Sequence, residues 1–206
     1  STSVTVLNGT SMNMTDLIQV PTGLTLIEEL TPPTGWKNNM TTQCSIVTYN
    51  QAQVEQSRID LALNNKSAIL APWEGLECTF VNDNTAFVKI IKNTTNNVDE
   101  DTIFNFNYTD ANSTEISTTV TVLNGTMMNM TDLIQVPAGF TSIEEFDLPT
   151  GWKNNMTGSC VVQNYTDTDP REKVGSPVAS DNLLSHVLEP WQALECTFIN
   201  DNTAFI

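Results

Sequence analysis

Apolar and polar residues alternate in short runs along this chain, and turn residues interrupt the runs at close intervals. Period-two alternation puts successive side chains on opposite faces of a strand. Residues 86–92 (AFVKIIK) read as one strand, with Val88, Ile90 and Lys92 on one face. Residues 102–108 (TIFNFNY) read as a second, in which Phe104, Phe106 and Tyr108 oppose Ile103, Asn105 and Asn107. Residues 119–123 run into Asn124-Gly125, a hairpin signal, with 127–131 as the returning strand. Pro137-Ala138-Gly139 turns the chain into a strand over 140–146, where Phe140, Ser142 and Glu144 share a face. Residues 160–163 and 194–199 add two more, with Cys196, Phe198 and Asn200 on one side. Short strands joined by close turns predict an all-β sandwich. Residues 51–63 (QAQVEQSRIDLAL) are the one stretch that could form a helical turn or two.

The pattern occurs twice. Residues 4–21 (VTVLNGTSMNMTDLIQVP) return at 120–137 (VTVLNGTMMNMTDLIQVP), and PTGWKNNMT returns at 149–157 after its first appearance at 33–41. LECTFVNDNTAF, ending at Phe87, returns as LECTFINDNTAF, ending at Phe205. Two copies of one module imply a tandem arrangement, divided here as residues 1–86 and 87–206. The stretch between the first NDNTAF and the second VTVL has no counterpart before Val4. The first module is therefore expected to lack its opening strands. They would come from an adjacent repeat of a longer chain or from a neighbouring copy in a head-to-tail filament.

Composition narrows the function classes. Eight Lys and Arg stand against 24 Asp and Glu, a formal charge of −16. Such a chain does not neutralise phosphates, which excludes nucleic acid as a partner, and anionic membrane surfaces repel it. No apolar run is long enough to span a bilayer. No nucleophile elbow, phosphate loop or zinc-protease motif occurs, and no cofactor signature is present, so an enzyme is not expected. His186, the only histidine, sits in LLSHVLEPW and reads as a packed residue. Asp167 with Asp169, and Asp99 with Glu100 and Asp101, are oxygen-rich loops without EF-hand spacing; they read as solvated, and no metal is expected.

In order, the chain has Gly139 to Glu145 (GFTSIEE), Leu148 to Trp152 (LPTGW), Cys160, and Leu188 to Asn200 (LEPWQALECTFIN). The first copy has Leu70 to Asn82 (LAPWEGLECTFVN) at the matching place. This series resembles the prealbumin-like, or Cna-B-like, surface modules, with their GxYTxTE, PxGW, Cys and LxxGExxTCTFTN segments. The resemblance covers both copies. It departs where Trp73 and Trp191 stand in place of a frequent Gly, and in one extra residue before Gly-Trp. It implies Ig-like sandwiches in tandem, serving as stalk or fibre modules without catalysis. It also implies that a first-strand Lys can be joined to a last-strand Asn with help from a buried Glu. The strand faces allow a bond between Lys92 and Asn200 with Glu144. The simpler expectation is that Lys92 is a solvated strand end and a disulfide staples the module.

Cys44 and Cys78, and Cys160 and Cys196, fall at matching places in the two copies, and no C-x-x-C spacing suggests zinc. One disulfide per module is expected, in an oxidising compartment, with buried free thiols as the alternative. Eleven N-x-[ST] sequons begin at Asn8, Asn13, Asn39, Asn65, Asn93, Asn107, Asn112, Asn124, Asn129, Asn155 and Asn164. They point to N-linked glycans and an extracellular, cell-surface location. Trp36 and Trp152 are expected to cap the core, and Trp73 and Trp191 to cover the sandwich end. The leading expectation is a structural module of a surface fibre or stalk. The alternative is an adhesin or carbohydrate-binding module, read from the divergent segments 45–67 and 161–185.

Overall fold

The computed structural model describes residues 12–38, 42–154, 158–166, 171–180 and 184–203. Every regular element among them is a strand. In chain order these are β1 (Gly23–Leu26), β2 (Lys37–Asn38), β3 (Gln43–Tyr49), β4 (Glu55–Asp60), β5 (Ser67–Leu70) and β6 (Glu74–Thr79). Then come β7 (Asn82–Asp83), β8 (Thr85–Thr94), β9 (Thr102–Thr109), β10 (Glu115–Val122), β11 (Met128–Met130) and β12 (Ile134–Pro137). The last six are β13 (Gly139–Phe146), β14 (Lys153–Asn154), β15 (Ser159–Tyr165), β16 (Lys173–Ala179), β17 (Ser185–Leu188) and β18 (Gln192–Asp201). The helical turn expected within 51–63 is absent. That stretch contributes β4, an exposed edge strand paired with β3. Its mixed polar and apolar residues suit a strand open to water on both faces.

The chain forms two compact units, residues 1–30 with 40–80, and residues 31–39 with 81–206. The smaller unit has two sheets, β1–β5 and β4–β3–β6. Its core is small: Cys44, Leu70 and Leu76 are buried, with Ile27, Ile46, Leu61 and Ala68 packed against them.

The larger unit is sandwich-like. One sheet runs β10–β9–β13–β17, and the other runs β11–β8–β18–β15–β16, with β12 also on β8 and β14 also on β18. Alternation along β9 sends Phe104, Phe106 and Tyr108 into the core, as the pattern predicts. There they meet Val88, Ile90, Ile143, Leu194 and Phe198. Phe106 and Phe198 pack with ring centroids 5.1 Å apart, and Trp152 stands edge-on to Phe104 at 5.2 Å. Asn124-Gly125 does make a turn, with Gly125 at φ +76°. It does not close a hairpin: β10 pairs β9 in one sheet, whereas β11 pairs β8 in the other. The turn carries the chain between layers because Val120 and Val122 face one side of the core and β8 offers its free edge on the other.

The first long strand of this unit, β8, and its last, β18, lie side by side and parallel, from Ala193 opposite Phe87 to Asn200 opposite Thr94. That pairing is central to its sheet and positions the site described next.

Candidate covalent cross-link site

β8 points Ala86, Val88, Ile90, Lys92 and Thr94 to one side. The same alternation that buries the valine and isoleucine buries the lysine, whose side chain is 0% exposed. Parallel register sets Lys92 opposite Phe198 and brings Asn200, two residues on, to the same end of the sheet. Glu145 comes from β13 in the facing sheet, its side chain 1% exposed.

The three side chains converge. Glu145 Oε1 lies 3.3 Å from Lys92 Nζ and accepts a hydrogen bond from Asn200 Nδ2 at 2.9 Å. Lys92 Nζ also donates to the carbonyls of Asn93 (3.1 Å) and Phe198 (3.4 Å), and it stands 4.4 Å from the Phe104 ring centroid. Asn200 Oδ1 and Glu145 Oε2 are buried without a hydrogen-bond partner. Each such unmet group costs about 1–3 kcal/mol.

Burial is the largest influence on both ionisable groups, because a low-dielectric core disfavours charge. It lowers Lys92 from 10.5 to about 8, against the opposing pull of the Glu145 charge. It raises Glu145 above its usual 4.5, against the opposing pulls of Lys92 and Asn200. Both shifts favour a neutral amine beside a carboxylic acid. A neutral amine is a nucleophile, and the Asn200 amide is the electrophile in reach of the same carboxyl group. Attack of Lys92 Nζ on Asn200 Cγ would form a C–N bond, with Glu145 taking a proton from the attacking nitrogen and giving one to the departing amide nitrogen, so that ammonia would leave. The products balance without oxidant, metal or cofactor.

Two expectations about this site are corrected. Lys92 is not a solvated strand end; it is fully buried. Glu144 is not the partner; it is exposed on the outer face, and Glu145 occupies the inward position. The face shared by Phe140, Ser142 and Glu144 is the outer one. Phe140 is 52% exposed, while Thr141 and Ile143 face the core and set the inward parity.

Disulfides join Cys44 to Cys78 and Cys160 to Cys196, each with Cα atoms 4.1 Å apart. Each pair sits directly opposed on neighbouring antiparallel strands, β3 with β6 and β15 with β18. The disulfide thus staples strands within one sheet. Closing loops of 34 and 36 residues contributes about 3–4 kcal/mol per bond on chain-entropy grounds.

The remaining candidates scatter. Among the described residues no cluster of His, Cys, Asp or Glu could hold a metal ion. Asp99, Glu100 and Asp101 belong to no such group, and Asp167 and Asp169 lie outside the described residues. His186 is partly buried on β17 opposite Thr141. Trp152 packs on the core, whereas Trp36 is 43% and Trp73 55% exposed. Trp73 and Trp191 both hold φ at +67°, a left-handed conformation that L residues adopt at a cost. A glycine would be at ease there. Trp191 offsets that cost by donating Nε1–H to Asp83 Oδ2 at 3.0 Å.

Sequons fall into two groups. Asn13, Asn65, Asn112, Asn124 and Asn164 are exposed. Asn93 has a buried Oδ1, Asn107 donates Nδ2 to Glu115, and Asn129 donates Nδ2 to the Thr121 carbonyl at 2.6 Å. Asn8, Asn39 and Asn155 lie outside the described residues.

Sequence reasoning missed a polar network present in both units. Tyr165 donates its hydroxyl to Glu195 at 2.6 Å, and Lys173 bridges the same carboxylate at 2.7 Å. Tyr49, Glu77 and Arg58 repeat the arrangement. Burial and the neighbouring carboxylate push the Tyr49 hydroxyl up to about 12. Tyr and Glu stand at matching places in the two copies, which was the available signal; the cation does not.

Compared with known proteins, the chain matches no family model and no curated protein.

Proposed function

We propose that this chain is a structural module of an extracellular surface fibre or stalk, built from tandem Ig-like sandwiches of the Cna-B-like kind. The observation that carries this reading is the buried Lys92–Glu145–Asn200 set, which brings β8 and β18 of the larger unit together with β13. Tension applied through the two ends of that unit arrives on β8 and β18. They are parallel neighbours, so pulling shears their ladder. A bond from Lys92 to Asn200 carries the load directly from β8 to β18 and leaves the intervening fold unstressed. The Cys160–Cys196 disulfide then ties β18 to β15, extending the covalent framework across the sheet.

The disulfides fit an oxidising, extracellular setting, and the exposed sequons fit a glycosylated surface. No catalytic role is assigned to the cross-link beyond its own formation, which happens once per module. Intact-mass measurement tests the reading. The expected mass is that of the sequence with two disulfides, less one ammonia, after any glycans are removed. A mass without that loss, in a fully folded sample, removes the covalent stalk reading.

A further inference from the structure

The outer face of the sheet β10–β9–β13–β17 carries chemistry that the cross-link does not use. Phe106 and Tyr108 point inward on β9, so Asn107 and Thr109 point outward. Thr141 and Ile143 point inward on β13, which leaves Phe140 and Ser142 outside. Val120 and Val122 point inward on β10, which leaves Glu115 and Ser117 outside.

The strand registers set these side chains in rows. Glu115 lies opposite Thr109, Thr109 opposite Ser142, and Ser142 opposite Ser185. Ser117 opposite Asn107 belongs to the row on one side of that one, and Phe140 opposite Val187 to the row on the other. A shallow, open cavity of about 560 Å³ sits on this face, lined in part by Asn107, Thr109, Glu115, Phe140 and Ser142. That volume is of the order small-ligand sites have.

The lining says what would fit. Phe140 is 52% and Val187 60% exposed, so an apolar platform ends the polar rows. Asn107 is held from two sides: its Nδ2 donates to Glu115 Oε1 at 2.7 Å, and its Oδ1 accepts from Ser117 Oγ at 2.8 Å. Those bonds use one of its two N–H groups and one of its two lone pairs, so the fixed amide keeps a donor and an acceptor for a ligand. No lysine or arginine lines the cavity, and Glu115 sets a carboxylate in its wall, so an anion would meet no counter-charge. An extended peptide that adds to a sheet needs a free edge, and this is a face. A pyranose ring has an apolar C–H side, which suits the negative face of a phenyl ring, and hydroxyls around its rim, which suit a fixed amide and a carboxylate. The first copy has Leu24 and Leu26 at the places of Phe140 and Ser142, and neither supplies a π face or a hydroxyl.

We propose that this cavity binds a short run of a neutral oligosaccharide. One ring lies on Phe140, and the next presents hydroxyls to Thr109, Ser142, Glu115 and Asn107. Phe140 and Asn107 are two rows apart, about 14 Å at the spacing of alternate strand residues, which is more than one sugar ring covers. The site gives the module a ligand beyond its stalk role, and it does not depend on the Lys92–Asn200 bond.

The experiment is saturation-transfer NMR on the full chain, confirmed bare at Asn107 by peptide mass because a glycan linked there would lie in the cavity. The probes are maltotetraose, cellotetraose and N-acetyl-chitotetraose. At least one should bind saturably in the millimolar range or tighter, and its monosaccharide about tenfold more weakly or less. Phe140→Ala and Glu115→Gln should each weaken binding about tenfold, Phe140→Trp should retain it, and Leu24→Ala should leave it unchanged. Both weakened positions are exposed, and circular dichroism checks that the variants fold. Saturable binding by none of the probes overturns the proposal. So does binding that survives Phe140→Ala, and so does tetralysine binding that is lost in that variant, which would make this a cationic-peptide site. Intact mass on the same samples reports the missing ammonia independently, so failure of sugar binding and failure of the covalent stalk are told apart.

Discussion

Lys92 Nζ lies 3.3 Å from Glu145 Oε1, and neither side chain reaches solvent. A buried lysine–glutamate contact of that kind is weak evidence for stability, because desolvation opposes the attraction between the charged forms. The pair makes better sense as a reaction centre, since the same carboxyl oxygen also holds the Asn200 amide at 2.9 Å.

That assignment separates two adjacent glutamates. Glu145→Gln removes the proton shuttle and should leave the protein with the mass of one additional ammonia relative to wild type, after allowing for the substitution. Glu144→Gln changes an exposed residue and should lose ammonia as wild type does. Tandem mass spectrometry of the β8 and β18 peptides locates the cross-link. Equal behaviour of the two variants would return the role to neither residue.

Blocking the bond should expose the titration of Lys92. In Asn200→Ala the lysine stays buried and free. Its folded pKa of about 8 lies below the unfolded 10.5, so between those values the unfolded chain holds a proton that the folded chain lacks. Unfolding free energy then rises with pH across that window, by up to about 3 kcal/mol for a shift of this size. Glu145 is shifted the other way, and its contribution is lost at lower pH, as pH climbs from 4.5 through its raised folded value. In a cross-linked wild type the nitrogen would be an amide and would not titrate. Urea titrations of both proteins at pH 8 and pH 10 should therefore differ in slope; parallel behaviour would contradict the burial of a free amine.

The sandwich-like fold was legible because β9 alternates from Phe104 onward and β18 from Cys196 onward, and inward aromatics at Phe104, Phe106 and Phe198 leave one choice of face. The disulfides were legible because the cysteines repeat with the module. β13 was misread by one residue because its outer face carries Phe140, an apolar side chain where water was expected. In a period-two element a single such residue inverts every assignment, and here it exchanged Glu144 for Glu145. The turn at Gly125 was recognised but not its destination. An Asn-Gly signal specifies a tight reversal, and which strand receives the returning chain is decided by long-range pairing with β8.

Glycan occupancy should follow accessibility of the amide. Asn65, Asn112 and Asn124 are exposed, and their Nδ2 atoms are free to present to a transferase as the chain folds. Asn129 is held by the Thr121 carbonyl, and Asn93 has its Oδ1 buried. Glycopeptide mapping of protein secreted from a eukaryotic host should find the first group occupied and the second bare. Occupancy of Asn93 or Asn129 in folded protein would mean that modification precedes closure of β11 on β8.

The twin valines give the most direct mutational reading of the difference between the copies. Val136 is buried on β12, where it faces the core beneath β8, and trimming it to Ala removes contacts that cannot refill without backbone movement. Val136→Ala should destabilise the larger unit by about 2 kcal/mol. Val20→Ala, at the same place in the same local sequence, alters an exposed side chain and should stay within about 0.5 kcal/mol. Local hydrogen exchange over residues 12–21 and 128–137 measures both effects in one sample. If Val20→Ala is as costly as Val136→Ala, the difference in burial between the twin valines does not set their contribution to stability.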